Sequence, residues 1–188
     1  PGAVHPEGYT SCNSFTADPW PTWTYDCAGV SLQREVLCVQ GRDLVIVRWH
    51  LLKKTKSPVT LRVRPMLSGR DYHSAHHENA GLDSNVTDIE ETVIWQPYHD
   101  LPAVRAFHTG VYRHEPRWFR QVQFRVEQQR GLDHEEDWWS PGEFTYQLKV
   151  GDDATLVCTT EAGGQVDGAV LVTAEQARRT RLQEAAPS

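Results

Sequence analysis

LQREVLCVQGRDLVIVRWHLL, from Leu32 to Leu52, is the stretch whose reading decides the fold. Leu32, Arg34, Val36 and Cys38 alternate with Gln33, Glu35, Leu37 and Val39. A period of two that leaves one mostly apolar face predicts a β-strand. Gly41-Arg42-Asp43 supplies turn residues. The run from Leu44 to Leu52 is apolar on both parities and predicts a more fully buried strand. The two strands read as a hairpin.

The pattern continues outward. Val59, Leu61 and Val63 alternate with Thr60, Arg62 and Arg64, the cleanest one-sided strand in the chain, and Pro65 ends it. Further strands are expected over 92–98, 103–109, 118–127, 143–150 and 154–160, with Asp152-Asp153 as a turn. From Ser68 to Thr92 the periodicity disappears, and the segment reads as a long polar loop. Segments of that length inside a domain are usually functional or mobile. Gly163 and Gly164 break the strand pattern. Thr173 then reads as the N-cap of a helix running to Ala185, with Gln176 completing a capping box. That helix is expected to leave the domain as a linker. Many short strands with little helix predict an antiparallel sandwich, and no helices alternate with the strands as a parallel α/β fold requires.

The chain has 188 residues, enough to bury a core without disulfides or a metal. Its net charge of −6 argues against nucleic acid as the main partner, which would attract a basic face. No apolar stretch reaches the roughly 20 residues of a membrane helix. The opening Pro1-Gly2 is what a fragment would show. Four cysteines lack CxxC or zinc-ribbon spacing, and Cys38 and Cys158 sit in apolar runs that predict buried free thiols. A cytoplasmic setting follows from the same reading.

Three groups of residues could carry chemistry. His73, His76 and His77 follow Arg70-Asp71, but without an HExxH pattern they read as a polar loop and no metal or cofactor is expected. Asp133-His134-Glu135-Glu136-Asp137 could supply carboxyls for glycoside hydrolysis. That reaction needs two such groups held about 5 to 9.5 Å apart, and a loop cannot enforce the spacing. Trp138-Trp139 precedes Pro141-Gly142, read as a turn. One indole of the pair is expected to face solvent or a partner, as a sugar platform or an interface anchor. Neither GxSxG nor a phosphate-binding GxxxxGK[ST] occurs.

Val4-His5-Pro6-Glu7-Gly8-Tyr9, Phe15, Asp18-Pro19-Trp20-Pro21 and Trp23-Thr24-Tyr25 resemble the N-terminal domain of bacterial and archaeal glycogen debranching enzymes, the amylo-α-1,6-glucosidases. Arg64-Pro65-Met66-Leu67 with Arg70-Asp71-Tyr72-His73 is similar to a second block of that family. Arg130-Gly131-Leu132-Asp133, Glu136-Asp137, Trp139-Ser140-Pro141-Gly142 and Phe144 resemble a third. The resemblance implies a supersandwich-like β-sandwich over 1–161, entered after the family's first strands. Residues 162–188 would then lead to an (α/α)6 catalytic barrel that hydrolyses α-1,6 branches. It implies α-glucan and that barrel as partners, with Arg70, Asp71, His73 and Asp133 shaping the facing surface. Trp138 and Trp139 join that set as platform candidates. Three readings stay open: a glucan-presenting module, a purely structural brace with open edges that would favour a homodimer, and an independent carboxylate glycosidase.

Overall fold

A computed structural model describes residues 7–53, 55–71, 74–164 and 166–185. After a 3-10 turn at Gly8–Ser11 come β1 (Cys12–Thr16), β2 (Thr22–Cys27), β3 (Val30–Cys38), β4 (Leu44–Leu51), β5 (Val59–Val63), β6 (Val86–Ile89), β7 (Thr92–Trp95), β8 (Val104–His108) and β9 (Val111–Gln123). A short helix α1 (Arg125–Gln129), β10 (Glu135–Leu148), β11 (Asp153–Thr159) and helix α2 (Gly168–Ala185) complete the chain. All strand pairs are antiparallel. One sheet has the order β1-β2-β3-β4-β11-β8-β7-β6, and the other β5-β10-β9.

The sandwich core lies between the two sheets. Trp49, Leu51, Trp95, Ala106, Ala154 and Leu156 of the large sheet face Tyr112, Phe144, Tyr146 and Leu148 of the small one. The hairpin expected from Leu32 to Leu52 is β3–β4, paired Leu37 to Ile46 and Val36 to Val47. Its second strand is apolar on both parities for a reason visible in the layers. Leu37, Ile46, Val157 and Phe107 form one row across β3, β4, β11 and β8 on the outer face. Val172 of α2 packs on that row, together with Trp20. The molecule is thus sheet on sheet with a helix on the back of the larger sheet.

That packing corrects the picture of a helix departing from the sandwich. The helix also begins ahead of Thr173. Asp167 caps it, accepting hydrogen bonds from the amides of Ala169 and Val170 at 2.9 and 3.2 Å, whereas the Thr173 hydroxyl donates to Ala169 O inside the helix. Glu175 is buried and clamped by Arg178 and Arg179. The hydrogen bond from Arg178 lowers the Glu175 carboxyl most, burial opposes it, and the bond from Arg179 adds to the fall, to about 2.

Other boundaries moved for local reasons. The strand expected over 118–127 begins at Val111 and stops at Gln123, where the chain turns into α1. The polar stretch 68–92 contains β6, paired with β7. Cys38 is exposed, because it ends β3 at the margin of the sheet, whereas burial raises the Cys158 thiol to about 11. Pro141-Gly142 is no turn: β10 runs through both, with a register shift between Ser140 and Gly142. A Cβ on Gly142 would meet the Arg113 carbonyl at 2.3 Å and the Tyr112 hydroxyl at 2.7 Å.

Two measurements check this packing. Gly142→Ala should cost about 1–3 kcal/mol in urea denaturation, the range for overpacking a filled interior. Acidification should weaken the docking of α2. Glu175 titrates at about 2 in the folded chain and at 4.5 ordinarily, so its contribution is complete above 4.5 and disappears as pH falls toward 2. Glu175→Gln should flatten that part of the stability–pH curve.

Candidate functional site

Two sequence-distant blocks meet on one carboxylate. After β5 the chain keeps pairing with β10 through a bridge between Leu67 and Trp139, with Leu67 N to Trp139 O at 2.7 Å. This register carries Arg70 over Glu136, whose side chain is 4% exposed; Arg70 Nε lies 2.7 Å from Glu136 Oε2. Trp138 Nε1 donates to Glu136 Oε1 at 2.6 Å, and the His76 amide reaches Oε2 at 3.4 Å. Burial raises the Glu136 carboxyl, but the bonds from Trp138 and Arg70 and the Arg70 charge outweigh it and hold it below its ordinary range.

Asp137, next in the strand, secures the other end of the loop. It accepts the amides of Glu78 and Gln121, both at 2.9 Å, and these two bonds lower its carboxyl. His76 is buried, with Nε2 at 2.8 Å from the Tyr98 hydroxyl and its ring 5.3 Å from that of Trp118. The histidine therefore braces the loop.

The docked loop, α1 and the start of β10 enclose a concavity of about 520 Å³. Arg70, Phe124, Leu132, Asp133, Glu135 and Glu136 line it. Leu132 and Asp133 are exposed at its rim. Of the residues singled out from sequence, Arg70, Asp133, Glu135 and Glu136 share this cavity. Asp71 adjoins it, its carbonyl accepting from Arg70 Nη1 at 3.2 Å. His73 lies outside the described residues. Trp138 is half-buried beside Phe124, with ring centroids 6.1 Å apart. Trp139 is 2% exposed and belongs to the interior, so its indole is not available to a sugar.

Sequence reading missed Phe124 and Leu132 as members of the site and offered Glu136 only as one carboxyl of the acidic run. Glu136 gave no distinguishing signal within an acidic run. Its partners come from 66 residues upstream and two downstream. The run is not a free loop either, since Glu135, Glu136 and Asp137 open β10. Among the described residues no helix is long and apolar enough to cross a membrane, and no group of three or more His, Cys, Asp or Glu could hold a metal.

Glu136→Gln keeps the shape but leaves Arg70 without its counter-charge, and should cost about 1–3 kcal/mol of stability. Because the folded carboxyl is lowered, the contribution it removes is present above the ordinary value of 4.5 and is lost as pH falls through the folded value. Urea denaturation at neutral and at acid pH checks both statements: the wild-type advantage over the variant should shrink on acidification.

No curated protein sequence matches the chain. A family model described as glycogen debranching enzyme N terminal matches residues 1–155, most of the sandwich and both blocks that meet at Glu136. The chain belongs to the glycogen debranching enzyme N-terminal domain family.

Proposed function

We propose that this domain presents α-glucan to the catalytic domain of a debranching enzyme without itself performing hydrolysis. The carrying observation is the convergence of Arg70, Phe124, Leu132 and Asp133 on one concave, partly apolar cavity. A pocket of apolar walls with a few placed polar groups is the usual form of a small-ligand site. Phe124 and Leu132 offer apolar surface to the C–H face of a pyranose ring, and Arg70 and Asp133 offer a donor and an acceptor for hydroxyls.

The same geometry supports the non-catalytic part. Glycoside hydrolysis uses one carboxyl kept protonated and one ionised. Glu136 and Asp137 are both shifted toward the ionised form, and their oxygens are taken by Trp138, Arg70 and backbone amides. The free cysteines suit a reducing, cytoplasmic setting.

A second reading, bracing of the catalytic domain, has its own observation. The large sheet has eight strands against three, and no residue of β1 or β2 belongs to either core cluster. Phe15 there is 54% exposed, 5.1 Å from the Trp23 ring. An uncovered sheet face of this kind suits a neighbouring domain.

Affinity electrophoresis in glycogen gels separates the two. The wild-type chain should be retarded. Asp133→Ala and Leu132→Ala alter exposed side chains, and each should weaken retardation by about tenfold, equivalent to ~1.4 kcal/mol. Absence of retardation in the wild type, with solubility restored by the separately expressed catalytic domain, would leave bracing alone.

A further inference from the structure

On the outer face of the large sheet, beside the area covered by α2, His50 of β4 is held between two carboxylates from the neighbouring strands. Its Nδ1 lies 2.6 Å from Asp153 Oδ1 of β11, and its Nε2 lies 2.9 Å from Glu35 Oε2 of β3. An ionised carboxylate only accepts, so each contact needs an N–H on the ring. Neutral imidazole has one N–H and the imidazolium has two. Both contacts can be hydrogen bonds only while His50 is charged.

The other groups around the ring agree with that state. Glu35 on β3 and Asp153 on β11 are the two anions. Arg48 on β4 itself is the cation of the cluster among the described residues, 2.6 Å from Glu35 Oε2. Gln33, opposite His50 on β3, is uncharged. Two carboxylates against one guanidinium leave net negative charge facing the ring. The bond from Glu35 raises the imidazole most, burial opposes it, and Asp153 adds to the rise. Burial raises the Glu35 carboxyl, but bonds from His50, Arg48 and Trp20 bring it down to about 2, so it stays ionised wherever His50 titrates.

We propose that His50 is a proton-gated clasp pinning the crossover between the two sheets, closed while the ring is doubly protonated and open once one proton leaves. The two links are unequal. The Glu35 side chain is 14% exposed and keeps Arg48 and Trp20 as donors, the latter at 3.2 Å. The Asp153 side chain is 50% exposed and has water available. Loss of the proton therefore leaves the remaining N–H on Glu35 and releases Asp153. Asp153 is the first residue of β11, directly after the turn Lys149–Asp152 by which the chain passes from the small sheet to the large one. The clasp thus acts on the segment that joins the layers. Because the folded imidazole is raised above 6.5, the stabilisation is complete below 6.5 and is lost as pH rises through the folded value.

Nitrogen-15 NMR of the whole chain tests this. In the wild type both His50 ring nitrogens should remain protonated above the ordinary value of 6.5, and the amides of 150–153 should lose order in step with the proton. Asp153→Asn, a change at the outer link, should shift the His50 titration down toward 6.5 and loosen the turn at lower pH. His50→Gln has donors on one nitrogen alone, cannot span both carboxylates and cannot titrate, and should leave the turn loose at every pH. A His50 that titrates at or below 6.5, or turn amides indifferent to both pH and Asp153→Asn, would overturn the proposal; Asp153→Asn keeps the test decisive if His50→Gln fails to fold.

Discussion

A buried carboxylate must be given donors or it destabilises the fold around it, and Glu136 is the point where this constraint organises the domain. It sits near the start of β10, the central strand of the small sheet. Its oxygens are occupied by an indole, a guanidinium and an amide that come from two directions. Meeting that demand brings the polar segment after β5 onto the sheet, and the docked segment makes one wall of the cavity. The cavity exists because the charge is satisfied there.

The same economy appears on the far side. Glu35 and His50 are charged groups on the face of the large sheet nearest α2, held by side chains of neighbouring strands, while Glu175 of α2 is held by Arg178 and Arg179 of its own helix. The apolar row of Leu37, Ile46, Val157 and Phe107 supplies area for α2 to cover. Burial of one such side chain is worth about 1.5–3 kcal/mol, so the row carries most of the adhesion. Hydrogen bonds from Arg179 to the Pro19 carbonyl and from Gln183 to Asp18 tie the helix in place, and at His50 the ion pairs make one joint sensitive to protons.

How much of this could be read from sequence followed from range of interaction. The β3–β4 hairpin was legible because its two strands are consecutive and both show their layers: Leu37 and Ile46 face the helix, and Trp49 and Leu51 face the core. Strand β1 escaped periodicity because every residue of Cys12–Thr16 is exposed, so it has no buried face to imprint a pattern. The Pro141-Gly142 pair read as a turn because its local chemistry is that of a turn. Tertiary context overrides it: Pro141 is packed inside and its carbonyl accepts the Tyr112 hydroxyl at 3.0 Å. The helix start was missed because Asp167 follows glycines that read as a break. At the site, Arg70, Asp133 and Glu136 all stood in motif blocks, but the pairing of Arg70 with Glu136 across 66 residues is something no local pattern reports.

The central claim is that the Arg70–Glu136 pair assembles the cavity wall. A double-mutant cycle measures it directly, comparing Arg70→Ala, Glu136→Gln and the combined change by equilibrium denaturation. The account predicts a coupling above about 1 kcal/mol, within the range for residues sharing one buried network. Effects that add to within about 0.3–0.5 kcal/mol, as for independent sites, would contradict it.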